Sequence, residues 1–402
     1  MLVDVTEKIG DVISRRQQST LEEELRQQPS NSVRIAFAGM KKDCEKWIAN
    51  NPNAITKLPI PHQFWATCTE DLNGCSNAIY SHGGYGELVN LDTWSCFKLK
   101  EASSDKKYVW YQMTMFIRWN PIKQTTFIFC SDFLQCLRDG LNRRISSVGP
   151  SDPFTWHASF VDELRLLYDN FFWKFRNLVR DAEKERNEPQ ATGPNFPRLH
   201  DIARHVIHSV EILDVAIETV DSILHEHDLF ISNEGSTVAF PIPDLKANDV
   251  TRRLYYHSRE LRAIKARSAS LYDRLKNEIS LSFNLVSQTD TAAMKIISAV
   301  GLIFLPGTFI STLFGMNFFD FSVDEDTGKQ TFAMSDKFWV YWAISLPVTA
   351  AVLLAWVLYD YSYLITSKIK KPLLEDSKFK EILKLGSFFR RKEKQSDANS
   401  PT

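Results

Sequence analysis

Apolar residues are spaced along this chain in three ways, and each spacing predicts a different kind of element. In Val33–Ala38 (VRIAFA), Tyr108–Trp119 (YVWYQMTMFIRW) and Thr125–Cys130 (TTFIFC) they are β-branched or aromatic and bounded by Asn, Pro, Asp and Ser, which predicts strands. In Phe160–Arg186 and Arg198–Phe230 they recur at helical steps, the second stretch through Ile202, Val206, Val210, Leu213, Ile217, Val220 and Leu224. The segment 187–197, NEPQATGPNFP, separates those two helices as a loop, and 232–243 is a reversal. Asp244 to Val300 contains neither Gly nor Pro, with apolar positions at Leu254, Leu261, Ile264, Leu271, Leu275, Ile279, Phe283 and Val286. One helix from about 247 to 314 follows, roughly 100 Å long at 1.5 Å per residue; the competing reading is two helices with an unmarked break. A helix of that length exceeds what one small domain buries, and it predicts a coiled-coil-like bundle of several chains. The third spacing is no period at all. Ile296–Phe314 and Phe338–Tyr359 are unbroken uncharged runs, each long enough for a hydrocarbon core of ~30 Å.

These patterns divide the chain into a polar N-terminal segment (1–30), an α/β domain (31–158), a helical region (159–246), a stalk helix (247–295), a first span (296–317), an acidic loop (318–337), a second span (338–359) and a basic tail (360–402). The fold class expected is an α+β membrane protein with two C-terminal transmembrane helices. Trp339, Trp342, Trp356 and Tyr359 sit near the ends of the second span, as an interfacial aromatic belt does. The tail carries Lys368, Lys370, Lys371, Lys378, Lys380, Lys384, Arg390, Arg391, Lys392 and Lys394, whereas the loop is acidic. By the positive-inside rule the tail is cytosolic, and with two spans so is the N-terminal part. The expected location is the plasma membrane, with an organelle membrane as the alternative.

Composition changes this picture little. Lys plus Arg number 48 against 49 Asp plus Glu, net charge −1, which argues against a nucleic-acid binder. The first 30 residues have no signal-peptide pattern, no Asn-x-Ser/Thr sequon occurs, and the six cysteines have no metal-site spacing. Free thiols in a reducing compartment are expected. No Ser-His-Asp, phosphate-loop or zinc-protease pattern is present, so no enzyme and no cofactor are expected. His-Gly-Gly-Tyr-Gly at 82–86 lacks the flanks of a phosphate-binding loop.

The first span ends in Gly315, Met316 and Asn317, and the run MKIISAVGLIFLPGTFISTLFGMNFF (294–319) resembles the CorA family of divalent-cation channels and transporters. That family carries a Gly-Met-Asn tripeptide at the outer end of the first of two C-terminal spans; Met294, Lys295, Pro306, Thr308 and Phe309 also match its pore helix. The resemblance is close over about 110 residues and extends to the cytosolic part only in layout. It implies a pentamer with the first spans around an axial pore, and it implies transport of a divalent metal ion, Mg²⁺ first. A Zn²⁺ transporter of the ZntB type shares the tripeptide and is the alternative; a membrane-anchored sensor that does not conduct is the other.

The residues suit that chemistry. Mg²⁺ sheds water reluctantly, and a ring of neutral amide and carbonyl oxygens bonds to its hydration shell without stripping it. Asn317 supplies an amide that would hold the metal through water, and Gly315 allows close backbone approach. Gly and Asn also favour helix C-caps, the competing reading of the tripeptide. Stepping back from Asn317 by helical spacing gives Thr312, Thr308, Leu305, Gly301, Ile297 and Met294, which face the pore in the family; the small residues alternatively serve helix packing. Asp320, Asp324, Glu325 and Asp326 form an acidic outer loop that gathers cations, though the Met-Pro-Glu-Leu loop of the bacterial Mg²⁺ members is missing. Ser280 stands where those members place a Mg²⁺-binding Asp, which puts that regulatory site in doubt. Separately, Asp201, His205 and His208 share a helical face, and His225 and His227 flank Glu226, so His205 and His208 are candidate metal ligands.

Overall fold

The computed structural model describes residues 1–26, 28–102, 108–149, 152–185, 194–233, 244–313, 319–323, 328 and 330–358. The chain divides into two compact units, Met1–Asn284 and Leu285–Thr402, and the division falls inside one long helix.

The first unit opens with β1 (Leu2–Ile9), β2 (Val12–Thr20), α1 (Leu21–Arg26), β3 (Ser32–Phe37), α2 (Lys41–Asn50), α3 (Pro52–Ile55) and α4 (His62–Thr69). It continues through β4 (Gly74–His82), β5 (Leu88–Ala102), β6 (Tyr108–Asn120), β7 (Thr125–Ser131), α5 (Gln135–Arg144), α6 (Phe154–Glu185), α7 (Phe196–Asn233) and the start of α8 (Asp244–Leu313). The strands form one seven-stranded sheet in the order β2-β1-β3-β7-β6-β5-β4. Every pairing is antiparallel except β3 with β7.

Alternation along the strands sends side chains to two cores. Ile35, Met115, Ile117 and Ile128 face a core shared with α5, α6, α7 and α8, while Ala36, Phe116, Phe127 and Phe129 face a second one with α1, α2 and α4. Coverage of both faces is why β3 and β7 are buried along their whole length.

The strands expected at 33–38, 108–119 and 125–130 are β3, β6 and β7, and the expected helices are α6 and α7. Two expectations are corrected. The N-terminal 30 residues are not a separate polar segment, because β1 and β2 extend the sheet. Their polarity has a use: Glu7 on β1 accepts from Arg34 Nε at 2.8 Å and Arg16 Nη1 at 2.9 Å, and Arg16 also grips Glu24. Ion pairs occupy positions where a strand reading looks for apolar side chains. Likewise β5 hides among charges, with Asp92 held by Arg118, and His82–Gly86 joins β4 to β5 as a hairpin turn with Gly86 at φ 83°. The boundary expected at 158/159 falls inside α6, whose residues share the sheet's core, so sheet, helical region and the helix up to Asn284 are one unit.

The stripe on α8 needs a third correction. Leu254, Leu261, Ile264, Leu271 and Leu275 are buried within their own chain, in the core with α6 and α7. They are therefore not an intermolecular seam. Beyond them the stripe surfaces, and Phe283 is 63% exposed.

The second unit contains the end of α8, the hairpin β8 (Phe319–Val323) and β9 (Gln330–Met334), and α9 (Phe338–Leu358). The hairpin was not expected in the acidic segment; Phe319 pairs with Met334 and Val323 with Gln330.

Candidate functional site

Among the described residues, Ala247–Thr312 and Phe338–Leu358 are the helices long and apolar enough to cross a membrane, and only 6% of the most apolar stretch of each is buried in the chain. Among the described residues of the second unit, one face of α8 meets α9. A Cβ on Gly307 would lie 3.4 Å from Tyr341 Oη and 3.6 Å from Ser345 Oγ. The Tyr341 hydroxyl donates to the Gly307 carbonyl at 3.4 Å, and Ile310 is 5% exposed. The two helices border a cleft of about 510 Å³ with Ser311, Tyr341, Ser345 and Thr349 in its walls.

A different face carries the residues drawn from the helical spacing. Met294 is 67% exposed, Ile297 71% and Leu305 66%. Thr308 and Thr312 are exposed as well, and they also border the cleft. A Cβ on Gly301 would meet nothing within 4 Å, so this glycine packs on no neighbour in the chain and differs in that from Gly307. At about 100° per residue these positions lie about a third of a turn from Gly307.

The hydroxyls on this face have defined roles. Thr308 Oγ1 donates to the carbonyls of Phe304 at 3.1 Å and Leu305 at 2.9 Å. Thr312 Oγ1 donates to Thr308 O at 2.8 Å. With its proton turned back into the helix, each hydroxyl keeps its lone pairs for acceptance from outside. Water that hydrates a cation donates outward, so this polarity suits a hydrated dication.

Gly315, Met316 and Asn317, and Asp324, Glu325 and Asp326, lie outside the described residues, as does the basic tail. Asp320 is on β8, exposed, opposite Ala333.

His205 and His208 do not form a metal centre; among the described residues no group of three or more His, Cys, Asp or Glu is arranged to hold one. His208 Nδ1 lies 2.9 Å from Lys100 Nζ, and His205 packs its ring on Tyr108 with Nε2 3.5 Å from Asp201. Burial, and then the Lys100 charge, pull the His205 pKa down to about 4. An ammonium beside the pair disfavours a second cation. His227 is buried, with Nδ1 3.1 Å from Thr251 Oγ1, and burial pushes its pKa down to about 4. Sequence reasoning missed Lys100, which reads as an ordinary strand lysine until α7 covers it. It also missed Gly307 with Tyr341; the only signal was a second glycine in α8, six positions after Gly301.

Comparison with known proteins sets this geometry in a family. The family described as "CorA-like Mg2+ transporter protein" matches residues 96–359, more than half of the chain. The chain belongs to the CorA-like Mg²⁺ transporter family. A curated relative by sequence, "Notoamide biosynthesis cluster protein M'" of Aspergillus versicolor, is 31% identical over 341 residues, 75% of this chain and 74% of that protein. Among solved structures, the complete CorA magnesium transporter of Methanocaldococcus jannaschii is 12% identical, covers 88% of this chain and 97% of its own, and has a TM-score of 0.52. At that identity the likeness shows the fold: a soluble α/β domain, a long helix and two apolar C-terminal helices as candidate spans. The full-length CmaX protein follows at 12% identity, 89% and 97% coverage and a TM-score of 0.48. This CorA-like chain is thus a membrane transporter of divalent metal ions by family.

Proposed function

We propose that the protein is a homo-oligomeric Mg²⁺ channel, a pentamer by family resemblance, in which hydrated cations pass along an axis lined by Met294, Ile297, Gly301, Leu305, Thr308 and Thr312 of each α8. The observation that carries this reading is the exposure of Met294, Ile297 and Leu305, on a face turned about a third of a turn from Gly307, which meets Tyr341 of α9. Apolar residues that find no partner within a chain need one elsewhere; lipid serves some of them, and the strip with Gly301 and the two threonines faces the axis. The apolar rings constrict the path, and the threonine lone pairs accept from the ion's water. Gly315, Met316 and Asn317 form the outer mouth, where the Asn317 amide replaces outer-shell water contacts. The loop carboxylates Asp320, Asp324, Glu325 and Asp326 concentrate cations ahead of it. The termini are cytosolic in this reading, and the location is the plasma membrane.

Flux into proteoliposomes, run in parallel with Mg²⁺, Zn²⁺ and Ni²⁺, tests the reading. Mg²⁺ entry is expected, and Asn317→Ala is expected to remove most of it while oligomer size stays unchanged. Zn²⁺ entry without Mg²⁺ would assign the ion wrongly; no divalent flux at all would leave a non-conducting membrane protein.

A further inference from the structure

The histidines that do not bind metal belong to a cleft of another character. On α7, His200, Arg204 and His208 repeat at one turn, and on α8 Tyr272, Lys276 and Ser280 do the same. These faces enclose about 490 Å³, within the size range of small-molecule sites, and the lining includes no carboxylate. Ser280 is the position where the resemblance leads one to expect a cation-binding Asp; here it is a hydroxyl one turn from a lysine.

The charge around the cleft does not balance. Asp201 is taken by Arg204, and Asp71 by Lys98. That leaves Lys276, exposed and in no ion pair among the described residues, and Lys100. Lys100 is 2% exposed, and its ammonium has no carboxylate within ion-pair distance among the described residues. It sits 4.3 Å from the centre of the Trp110 ring and 2.9 Å from His208 Nδ1. An ammonium only donates, so Nδ1 of His208 accepts, and the ring's proton is on Nε2 as a further donor. Burial, with Arg204 adding to it, brings the Lys100 pKa down to about 8; burial and Lys100 lower that of His208. Arg204 thus shares its charge with Asp201, while Lys100 and Lys276 stand here with no carboxylate in ion-pair contact among the described residues.

We propose that this α7–α8 cleft binds a phosphate-bearing small anion, gripped by Arg204 and Lys276 and by the His208 and Ser280 donors. A phosphate offers several acceptor oxygens and at least one full negative charge, matching a guanidinium fork, an ammonium and neutral N–H and O–H donors. A dication would meet Arg204 and Lys276 with no carboxylate in the wall.

The test is calorimetric titration of the full-length detergent-solubilised protein in EDTA with pyrophosphate, with ATP and with sulfate. Saturable binding of pyrophosphate or ATP, one per chain and tighter than sulfate, is expected. The tighter of the two identifies an inorganic or a nucleotide source. Arg204→Gln and Lys276→Gln are each expected to weaken it by about tenfold or more, whereas the exposed Lys46→Gln leaves it unchanged. Both target residues are exposed, so the variants should keep the parent's size-exclusion profile. The proposal is overturned if neither phosphate compound saturates, if the Arg204→Gln/Lys276→Gln double variant still binds, or if Lys46→Gln weakens binding equally.

Discussion

Leu275 separates two accounts of the long helix, because a seam between chains and a core within one chain respond differently to its truncation. It is 0% exposed and belongs to the core that α8 shares with α6 and α7. Leu275→Ala removes three buried carbons and leaves a cavity, at a cost of about 2–5 kcal/mol. Taking about 3 kcal/mol, and a midpoint shift of roughly 2–4 °C per kcal/mol for a domain of this size, melting should fall by about 6–12 °C. Phe283→Ala is the counterpart. Phe283 is 63% exposed in the chain, so its truncation should leave melting within about 1 °C of the parent, since an exposed side chain contributes little to folding. Tryptophan fluorescence during heating reads the fold, and light scattering on the eluting peak reads the assembly. Leu275→Ala is expected to lower the melting point at an unchanged oligomer mass under cool conditions. If Leu275→Ala instead melts with the parent and dissociates the oligomer, then the buried stripe is an intermolecular seam and the packing assigned to α8 is wrong.

Gly301→Leu should fold and assemble normally, since a Cβ there meets nothing within 4 Å in the chain, yet lower Mg²⁺ flux roughly tenfold or more by filling a narrow path; undiminished flux would remove Gly301 from the axis. Neutralising the loop with Asp324→Asn, Glu325→Gln and Asp326→Asn should lower apparent Mg²⁺ affinity at low ionic strength, an effect that fades as the Debye length drops to ~8 Å at physiological salt. Complete loss of transport at saturating Mg²⁺ would instead make the loop the filter. A cysteine at Ser322, exposed on β8, should react with an impermeant reagent from outside intact cells and one at Ser396 should not; the reverse pattern would invert the topology.

Helical spacing placed α6 and α7, β-branched and aromatic runs bounded by turn residues placed β3, β6 and β7, and the two uncharged runs stood out because each exceeds what a soluble core demands. The spacing back from Asn317 named a candidate pore face, and within the chain Met294, Ile297 and Leu305 on it are exposed. Other features had no local signature. β1 and β5 place Glu7 and Asp92 in strand positions, and only the arrival of Arg16 and Arg34, or of Arg118 from the neighbouring strand, makes such burial stable. The α8 stripe is continuous in sequence from Leu254 to Val286, yet α6 and α7 bury its first part and leave Phe283 uncovered. Periodicity reports that a face is apolar, and the partner that covers it comes from residues far away in the chain. His205 and His208 show the same limit: their spacing permits a metal, and Lys100, brought up from β5, puts a positive charge where the metal would stand. The sign of a site depends on every charge that folding collects there, and no single segment holds them all.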